Sequence, residues 1–281
     1  MKTQNLPMRI NRLLSDSGYC SRREADRLIE ERRVTIGGRV AVLGDQVQEG
    51  EKVAVDGREV LGGAPKVYLA LHKPAGIVCT TDRREPMNVI DYLNYPERVF
   101  PIGRLDRDSS GLLLLTSDGD IVNRILRAAG GHEKEYRVSL TQPVTDEFLR
   151  RMASGVEILG RVTLPCKVWK TGDRSFGIIL VQGINRQIRR MCDALGQRVH
   201  TLARVRVMNI TLDGLEPGHF RKLSDEEVAE LLRQTEGTPG RPGATRAPGA
   251  LPPDPRKGDE PLTPHKGYFQ VQIKRDCLTD V

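Results

Sequence analysis

One short stretch, PIGRLDRDSSGLLLLTSDGD at residues 101–120, places charged side chains directly before an apolar run. Arg104 and Arg107 flank Asp106, and four consecutive leucines follow. A carboxylate held between fixed cations stays ionised and keeps one orientation, which is what a nucleophile requires. A surface cluster of salt bridges has the same pattern, and these residues alone do not separate the two interpretations.

A second stretch, GINRQIRRMCDAL at residues 183–195, has the spacing of an amphipathic helix. At about 100° per residue, its apolar face is formed by Ile188, Met191, Cys192 and Leu195. The opposite face, behind Asn185 as the predicted N-cap, carries Arg186, Arg189 and Arg190. This arrangement suits RNA phosphates or a buried carboxylate, although a basic surface helix has it too. Positive charge continues through Arg198, Arg204 and Arg206 and favours a nucleic acid partner.

Tyr136 is an aromatic residue that could contact a base. In HEKEYRVSL it alternates with Val138 and Leu140, so the three side chains share one face of a predicted strand. An inward tyrosine on a strand is usually part of the core. An enzyme that acts on a flipped base also needs an aromatic or apolar wall against which the base stacks, so both interpretations stay open.

The composition limits the class of protein. With 281 residues, of which 38% are hydrophobic and 29% charged, the chain can bury a core and is not fully disordered. It has no apolar run near the roughly 20 residues of a membrane-spanning helix, and no signal peptide is predicted. Five cysteines without a CxxC pair argue against a disulfide scaffold or a zinc site. We therefore expect a cytoplasmic protein, and the net charge of +7 favours a polyanionic partner.

Three segments are predicted to position these residues. Residues 1–64 form a small domain of two helices and short strands, in which Ser21 and Glu24 have the spacing of a capping box. Residues 65–235 mix strands and helices without βαβ alternation, which predicts an α+β domain around a mainly antiparallel sheet. Residues 236–281 are rich in proline and glycine and are predicted to be disordered. Strand candidates are VYLALHK, GLLLLT, KEYRVSL, CKVWK and FGIILVQ; helix candidates are DIVNRILRA, TDEFLRRMA, NRQIRRMCDAL and SDEEVAELLRQ.

The N-terminal segment RINRLLSDSGYCSRREADRLIEERRVTIGG resembles the S4-like RNA-binding module in its order of two helices and small strands. The resemblance implies that arginines at the start of the second helix contact RNA phosphates. By matching position these are Arg22 and Arg23, with Arg27 as a further candidate. Without the resemblance, the same arginines are typical of a solvated helix face with i,i+4 charge pairs.

Four further motifs, HKPAG, GRLDRDSSGLLLLT, HEKEYRV and GINRQIRRM, follow in this order behind the S4-like segment. Together they resemble the RsuA-type pseudouridine synthases over residues 8–234. The sequence between the motifs is most similar to the RluF branch of that family. The resemblance implies a fold in which the S4-like domain precedes a synthase domain with a mainly antiparallel sheet and flanking helices. It also implies conversion of one uridine of large-subunit (23S) ribosomal RNA to pseudouridine.

The same resemblance implies roles for four residues. Asp106 matches the catalytic aspartate, and Arg104 matches the arginine that helps to displace the target nucleotide from its stack. Tyr136 matches the tyrosine that stacks on the target base. Arg189 matches the arginine that forms an ion pair with the aspartate.

For the remaining charged residues of these motifs we have only general expectations. Arg186 and Arg190 are expected to contact RNA. Asp108, Asp118 and Asp120 match no catalytic position and are interpreted as turn and cap residues.

The implied reaction breaks the N1–C1′ bond of uridine, rotates the uracil and joins C5 to C1′. Since nothing is oxidised or hydrolysed, the resemblance implies no metal and no other cofactor; we expect a monomer that acts on ribosomal RNA. The target could instead be tRNA or small-subunit ribosomal RNA. A non-catalytic RNA-binding assembly protein would need the basic segments but not Asp106. A hydrolase would use a second carboxylate, which the matched motifs do not supply.

Overall fold

Two main sheets organise the residues that the computed structural model describes, which are 7–60, 65–126 and 131–236. The smaller sheet belongs to the N-terminal segment and the larger one to the rest. All described residues fall in one compact unit. The tail that the sequence predicts to be disordered lies, after Glu236, outside the residues that the structure describes.

The N-terminal domain begins with two helices that pack on short strands. Its elements are β1 (Met8–Arg9), α1 (Ile10–Asp16), α2 (Arg22–Glu30), β2 (Val34–Ile36), β3 (Arg39–Val40), β4 (Gln46–Val47), β5 (Val53–Val55) and β6 (Arg58–Glu59). The main sheet has the antiparallel order β3-β2-β5-β6, and β1 pairs with β4 separately. The hydroxyl of Ser21 accepts from the N–H of Glu24 at 3.1 Å, so this half of the predicted capping box is present. Leu14, Ala25 and Val55 are fully buried between the helices and the sheet.

The second domain contains the remaining elements. They are β7 (Tyr68–Lys73), α3 (Val89–Leu93), β8 (Phe100–Pro101), β9 (Ser110–Thr116), α4 (Gly119–Leu126), β10 (Lys134–Leu140), α5 (Asp146–Ser154), β11 (Glu157–Ile158), β12 (Arg161–Val162), β13 (Lys167–Gly172), β14 (Ser175–Leu180), α6 (Gln187–Ala194), β15 (Val199–Val207), β16 (Ile210–Thr211), β17 (Phe220–Lys222) and α7 (Asp225–Thr235). The large sheet has the order β13-β14-β10-β15-β9-β7-β17, with β8 and β16 paired at its sides. Within the described residues its pairs are antiparallel except β15 with β9, which confirms the predicted α+β class with a mainly antiparallel sheet.

The four leucines of β9 are all buried because both faces of this strand are covered. Leu112 and Leu114 pack into the core beneath α4 and α7. Leu113 and Leu115 point to the opposite face and pack into the core that includes residues of α3. A strand covered on both faces has a continuous apolar run instead of alternation, so the run GLLLLT reports the central position of β9.

Gly111 allows β9 to approach β15 closely, just after the loop that carries Asp106. Its φ is +105°, and a Cβ at this position would lie 2.2 Å from the carbonyl oxygen of Arg204. Any other residue would therefore collide with the backbone of β15. The parallel pairing of Gly111 with Arg204 fixes where β9 begins, and so where the preceding loop ends.

The N-terminal domain contacts the second domain through charged side chains. Arg12 of α1 forms ion pairs with Asp16, at 3.3 Å, and with Asp120 in the first turn of α4. Nζ of Lys66 donates to the carbonyl oxygen of Asp16 at 3.0 Å. Asp118 accepts from the N–H of Asp120 at 3.0 Å, which is the predicted turn and cap arrangement. The turn at residues 118–120 therefore also contacts the N-terminal domain, through Arg12.

Candidate active site

Asp106 lies in the loop between β8 and β9 and lines a cavity of about 580 Å³. The lining comes largely from two segments, residues 76–80 after β7 and residues 104–108 before β9. The N–H of Gly76 donates to the carbonyl oxygen of Arg107 at 2.6 Å and joins the two segments. Pockets for small molecules have volumes of about 300–1,000 Å³, so the cavity is large enough to receive one nucleotide.

Lys73, the last residue of β7, holds the turn that leads into the cavity lining, a role that the sequence patterns do not predict. Its side chain is fully buried, and Nζ donates to the carbonyl oxygens of Pro74, at 2.8 Å, and Ile77, at 2.9 Å. Burial lowers the pKa of Lys73, and neighbouring acidic groups that include Asp108 oppose the shift. The amine therefore holds the turn after β7. A lysine next to a proline has no periodicity that could signal this burial.

Arg186 is the N-cap of α6 and contacts Asp106, which corrects the prediction that Asn185 caps this helix. Its backbone is in the left-handed region, with φ 50° and ψ 37°. From there Nη1 reaches Oδ2 of Asp106 at 3.5 Å and Oδ1 of Asp108 at 3.2 Å, and Nη2 lies 3.4 Å from Oδ2 of Asp108. The first turn of α6 therefore brings a guanidinium group against the candidate catalytic loop.

In the structure Arg189 pairs with Asp108, and not with Asp106 as the resemblance implies. Nη2 of Arg189 lies 3.3 Å from Oδ2 of Asp108 and donates to the carbonyl oxygen of Asp108 at 3.2 Å. The reason is position: Arg189 is one turn further along α6 than Arg186, and its side chain is largely buried beside Ser109. Burial alone would raise the pKa of Asp108, but the Arg186 hydrogen bond and the charge of Arg189 lower it overall. Asp108 is thus more than the turn residue that the motif suggested.

The other arginines of the predicted basic segment are not at this site. The guanidinium of Arg190 turns back to Asn185, donating to its carbonyl oxygen at 3.1 Å. Arg204 is buried in the large sheet and donates to the carbonyl oxygen of Leu112 at 2.8 Å. Arg206 pairs with two glutamates, Glu133 and Glu135. The predicted continuous cluster from 186 to 206 is therefore divided between the site, the interior and separate ion pairs.

Tyr136 lies on the face of β10 that it shares with Val138, as predicted. It is half-buried and packs between two core clusters. One of these clusters contains Cys79 and Leu105, which also line the cavity. The core interpretation of Tyr136 is therefore confirmed, and its role as the wall on which a base stacks stays a prediction.

Two arginines of the GRLDRD motif remain open to solvent at the cavity. Arg104 and Arg107 are exposed and line it, and neither side chain has a hydrogen bond or ion pair with another residue that the structure describes. With Arg186, they surround Asp106 with three guanidinium groups. This positive lining can receive the phosphates that flank a nucleotide.

The three S4-like arginines differ in their surroundings. Arg22 and Arg23 are exposed at the start of α2. The guanidinium of Arg22 lies against Gly119 of α4, whose Cβ position would be 3.9 Å from Nη2. Arg27 is already paired with Glu24 at 2.5 Å. Arg23 is therefore the most available of the three for a phosphate.

Within the described ranges, no three side chains of His, Cys, Asp or Glu come close enough together to hold a metal ion. The same residues contain no helix that is both long and apolar enough to cross a membrane.

Comparison with known proteins relates both domains to RNA modification. Residues 8–53 match the S4 domain family, and residues 67–194 match the family described as RNA pseudouridylate synthase. The chain is 52% identical over 232 residues to the dual-specificity RNA pseudouridine synthase RluF of Salmonella typhi, covering 82% of this chain and 80% of that protein. It is 33% identical to the ribosomal large subunit pseudouridine synthase B of Bacillus subtilis, covering 79% and 95% of the two chains.

A solved structure extends the similarity to three dimensions. It is a crystal structure of a pseudouridylate synthase that is 29% identical, with a TM-score of 0.59 over 80% of this chain and 99% of that one. Both domains, their order and their fold therefore agree with the resemblance found in the motifs. The chain belongs to the RsuA-type RNA pseudouridylate synthases that carry an S4 domain, and it is an RNA-modifying isomerase.

Proposed function

We propose that the protein converts one specific uridine of large-subunit ribosomal RNA to pseudouridine, with Asp106 as its catalytic carboxylate. The observation that carries the proposal is the position of Asp106 in the lining of a nucleotide-sized cavity that three arginines surround. The motif GRLD alone is compatible with a surface salt-bridge cluster, whereas a cavity around its aspartate favours chemistry.

The contacts of Asp106 leave one of its oxygens available. Oδ2 faces Nη1 of Arg186 at 3.5 Å, while Oδ1 has no hydrogen bond to another residue in the described ranges. The guanidinium of Arg186 places an opposite charge beside the carboxylate. Isomerisation needs such a carboxylate whether it attacks C1′, adds to the uracil ring or assists deprotonation at C2′.

The reaction is balanced without another reactant. The N1–C1′ bond breaks, the uracil rotates in the cavity, and the C5–C1′ bond forms. The proton that leaves C5 is matched by one taken up at N1, so the product has the composition of the substrate. Asp106 or Tyr136 would accept the C5 proton, and Tyr136 would also form the wall against which the rotating base stacks.

The target base must leave its stack, which costs a few kcal/mol. Arg104 and Arg107 are exposed at the cavity and would bind the phosphates on either side of the displaced nucleotide. Phosphate contacts from the S4 domain, with Arg23 as the most available side chain, would add to this binding energy. The S4 domain therefore delivers the RNA, and the second domain performs the chemistry.

The choice of RNA rests on similarity within the family. The half-identical relative is named for dual specificity on RNA, and a more distant one is named for the large ribosomal subunit. Together with the RluF-like motifs, these names favour large-subunit ribosomal RNA as a substrate and make tRNA the second substrate to test.

The experiment incubates the protein with unmodified 23S ribosomal RNA, 16S ribosomal RNA and tRNA, and then maps pseudouridine at nucleotide resolution. We expect one modified position in 23S RNA. Modification of 16S RNA alone would overturn the target. An abasic site would indicate a hydrolase, and binding without any change in the RNA would favour an assembly protein.

A further inference from the structure

Asp108 lies two residues after Asp106 and joins both arginines of the first turns of α6. Arg186 approaches it with both terminal nitrogens, at 3.2 and 3.4 Å. Arg189 approaches Oδ2 at 3.3 Å and the carbonyl oxygen at 3.2 Å. A two-pronged approach to one carboxylate is the strong geometry of an arginine, and here it is made to Asp108.

Asp106 receives a weaker contact from the same guanidinium. The shortest distance from Arg186 to a carboxylate oxygen of Asp106 is 3.5 Å, from Nη1 to Oδ2, longer than both of its hydrogen bonds to Asp108. The two carboxylates and two guanidinium groups balance in charge. Without Asp108, two positive charges would face Asp106 alone, and Arg186 would be free to bind both of its oxygens. A carboxylate held in that way is a poorer nucleophile and a poorer base.

We propose that Asp108 is a positioning residue for the isomerisation: it holds Arg186 and Arg189 so that Asp106 keeps one free oxygen. This inference rests on the proposed function of Asp106. The backbone supports it, because Arg186 adopts the left-handed conformation, which is unfavourable for arginine. The contacts to Asp108 offset that cost and fix α6 against the loop of residues 104–109.

The test compares Asp108→Asn and Asp108→Glu with the wild type, and uses Asp173→Asn as a matched control. Asp173 is an exposed aspartate in the turn between β13 and β14. For each protein we measure the single-turnover rate at saturating RNA, the Kd for RNA and the melting temperature. The Asp108 side chain is half exposed, so we expect the Asn variant to fold. If it does not, Asp108→Ser replaces it in the same comparison.

We expect Asp108→Asn to lower the single-turnover rate by about 10- to 100-fold, since misplaced catalytic groups cost rates of this order, with little change in Kd. Asp108→Glu keeps the charge and should recover most of the rate. If Asp108 had only a structural role, its replacement would lower the melting temperature, and the rate would not fall while the Kd stays unchanged. A wild-type rate in Asp108→Asn would overturn the proposal.

A double-mutant cycle shows whether Asp108 acts through Arg186. In the background of Arg186→Gln, Asp108→Asn should cost at least about tenfold less than in the wild-type background, as coupled neighbours do. Independent, multiplying losses would overturn the proposal. Asp106→Asn is assayed in parallel. If that variant is active, the proposed function fails; if it is inactive while Asp108→Asn behaves as the wild type, only this inference fails.

Discussion

Nη1 of Arg186 lies between two carboxylates, 3.5 Å from Oδ2 of Asp106 and 3.2 Å from Oδ1 of Asp108. A guanidinium that bound both carboxylate oxygens would leave the aspartate ionised but occupied. Oδ1 of Asp106 accepts no hydrogen bond from the residues that the structure describes, and we expect this oxygen to face the substrate. The shorter contacts of this guanidinium are made to Asp108, whose oxygens accept from Nη1 at 3.2 Å and from Nη2 at 3.4 Å. We therefore expect the reactivity of Asp106 to depend on four charged side chains, those of Asp106, Asp108, Arg186 and Arg189, and not on one pair alone.

The S4 domain is expected to control affinity and not turnover. Arg23→Ala removes an exposed cation that no described residue pairs with. It should weaken RNA binding and reduce the slope of log K against log salt concentration by about 0.7 to 0.9, the value for one lost phosphate contact. Arg27→Ala should change the slope less, because Arg27 is already paired with Glu24. Binding titrations at several salt concentrations measure both. Loss of turnover at saturating RNA with unchanged affinity would contradict this division of labour.

Gly111→Ala should destabilise the catalytic domain severely. The new Cβ would lie 2.2 Å from the carbonyl oxygen of Arg204, at the parallel junction of β9 and β15. We expect a loss of at least about 3 kcal/mol in the free energy of unfolding. Gly214→Ala is the matched control, since Gly214 also has a positive φ but nothing within 4 Å of its Cβ position. It should cost only about 1 to 2 kcal/mol. Equal losses in urea denaturation would show that the close approach is unimportant.

Because Lys134 is buried, the stability of the protein is expected to change with pH in the alkaline range. Burial, and secondarily the charge of Arg204, lower the pKa of Lys134 from 10.5 to about 8. Below pH 8 the amine is charged in both states, and the folded state bears the cost of burying it. Between pH 8 and 10.5 only the unfolded state binds the proton, so stability rises with pH.

The variant Lys134→Met removes this dependence. We compare the free energies of unfolding of the variant and the wild type. Between pH 8 and 10.5 their difference should shift by roughly 3 kcal/mol in favour of the wild type, which is about 1.4 kcal/mol per pH unit. Measuring the difference cancels the other groups that titrate in this range. A difference that is independent of pH would show that Lys134 is not charged and buried below pH 8.

Elements with clear periodicity could be predicted from the sequence. The strand predicted for KEYRVSL is β10, Lys134–Leu140, because alternation reports a strand with one covered face. The helix predicted near residues 145–153 is α5, Asp146–Ser154. The sequence patterns do not predict the strand β15, and the central position of this strand explains why Arg204 is buried and not part of a basic surface.

Contacts between distant segments could not be predicted in the same way. Motif matching placed Asp106 and α6 at one site, but it could not determine which of two arginines one turn apart faces which of two aspartates two residues apart. That choice depends on the left-handed backbone at Arg186, which is the N-cap one residue after the predicted cap Asn185. Burial of Lys73 was equally hidden, because its partners are carbonyl groups, which any residue could supply.

The Asp106 carboxylate is expected to perform the isomerisation. Asp106→Asn is nearly isosteric, and the arginines that line the cavity remain in place, so folding and RNA affinity should be retained. Only the charge and the reactive oxygen are lost. The control is Asp173→Asn, an equivalent change in an exposed turn away from the cavity lining.

The most direct measurement is the single-turnover rate of pseudouridine formation by Asp106→Asn on unmodified 23S ribosomal RNA, at saturating protein. We predict a rate at least about a thousandfold below that of the wild type, as expected when a nucleophile is removed, with Kd and melting temperature close to the wild-type values. Asp173→Asn should keep the wild-type rate. Pseudouridine formed by Asp106→Asn at the wild-type rate would contradict the account and remove Asp106 from the chemistry.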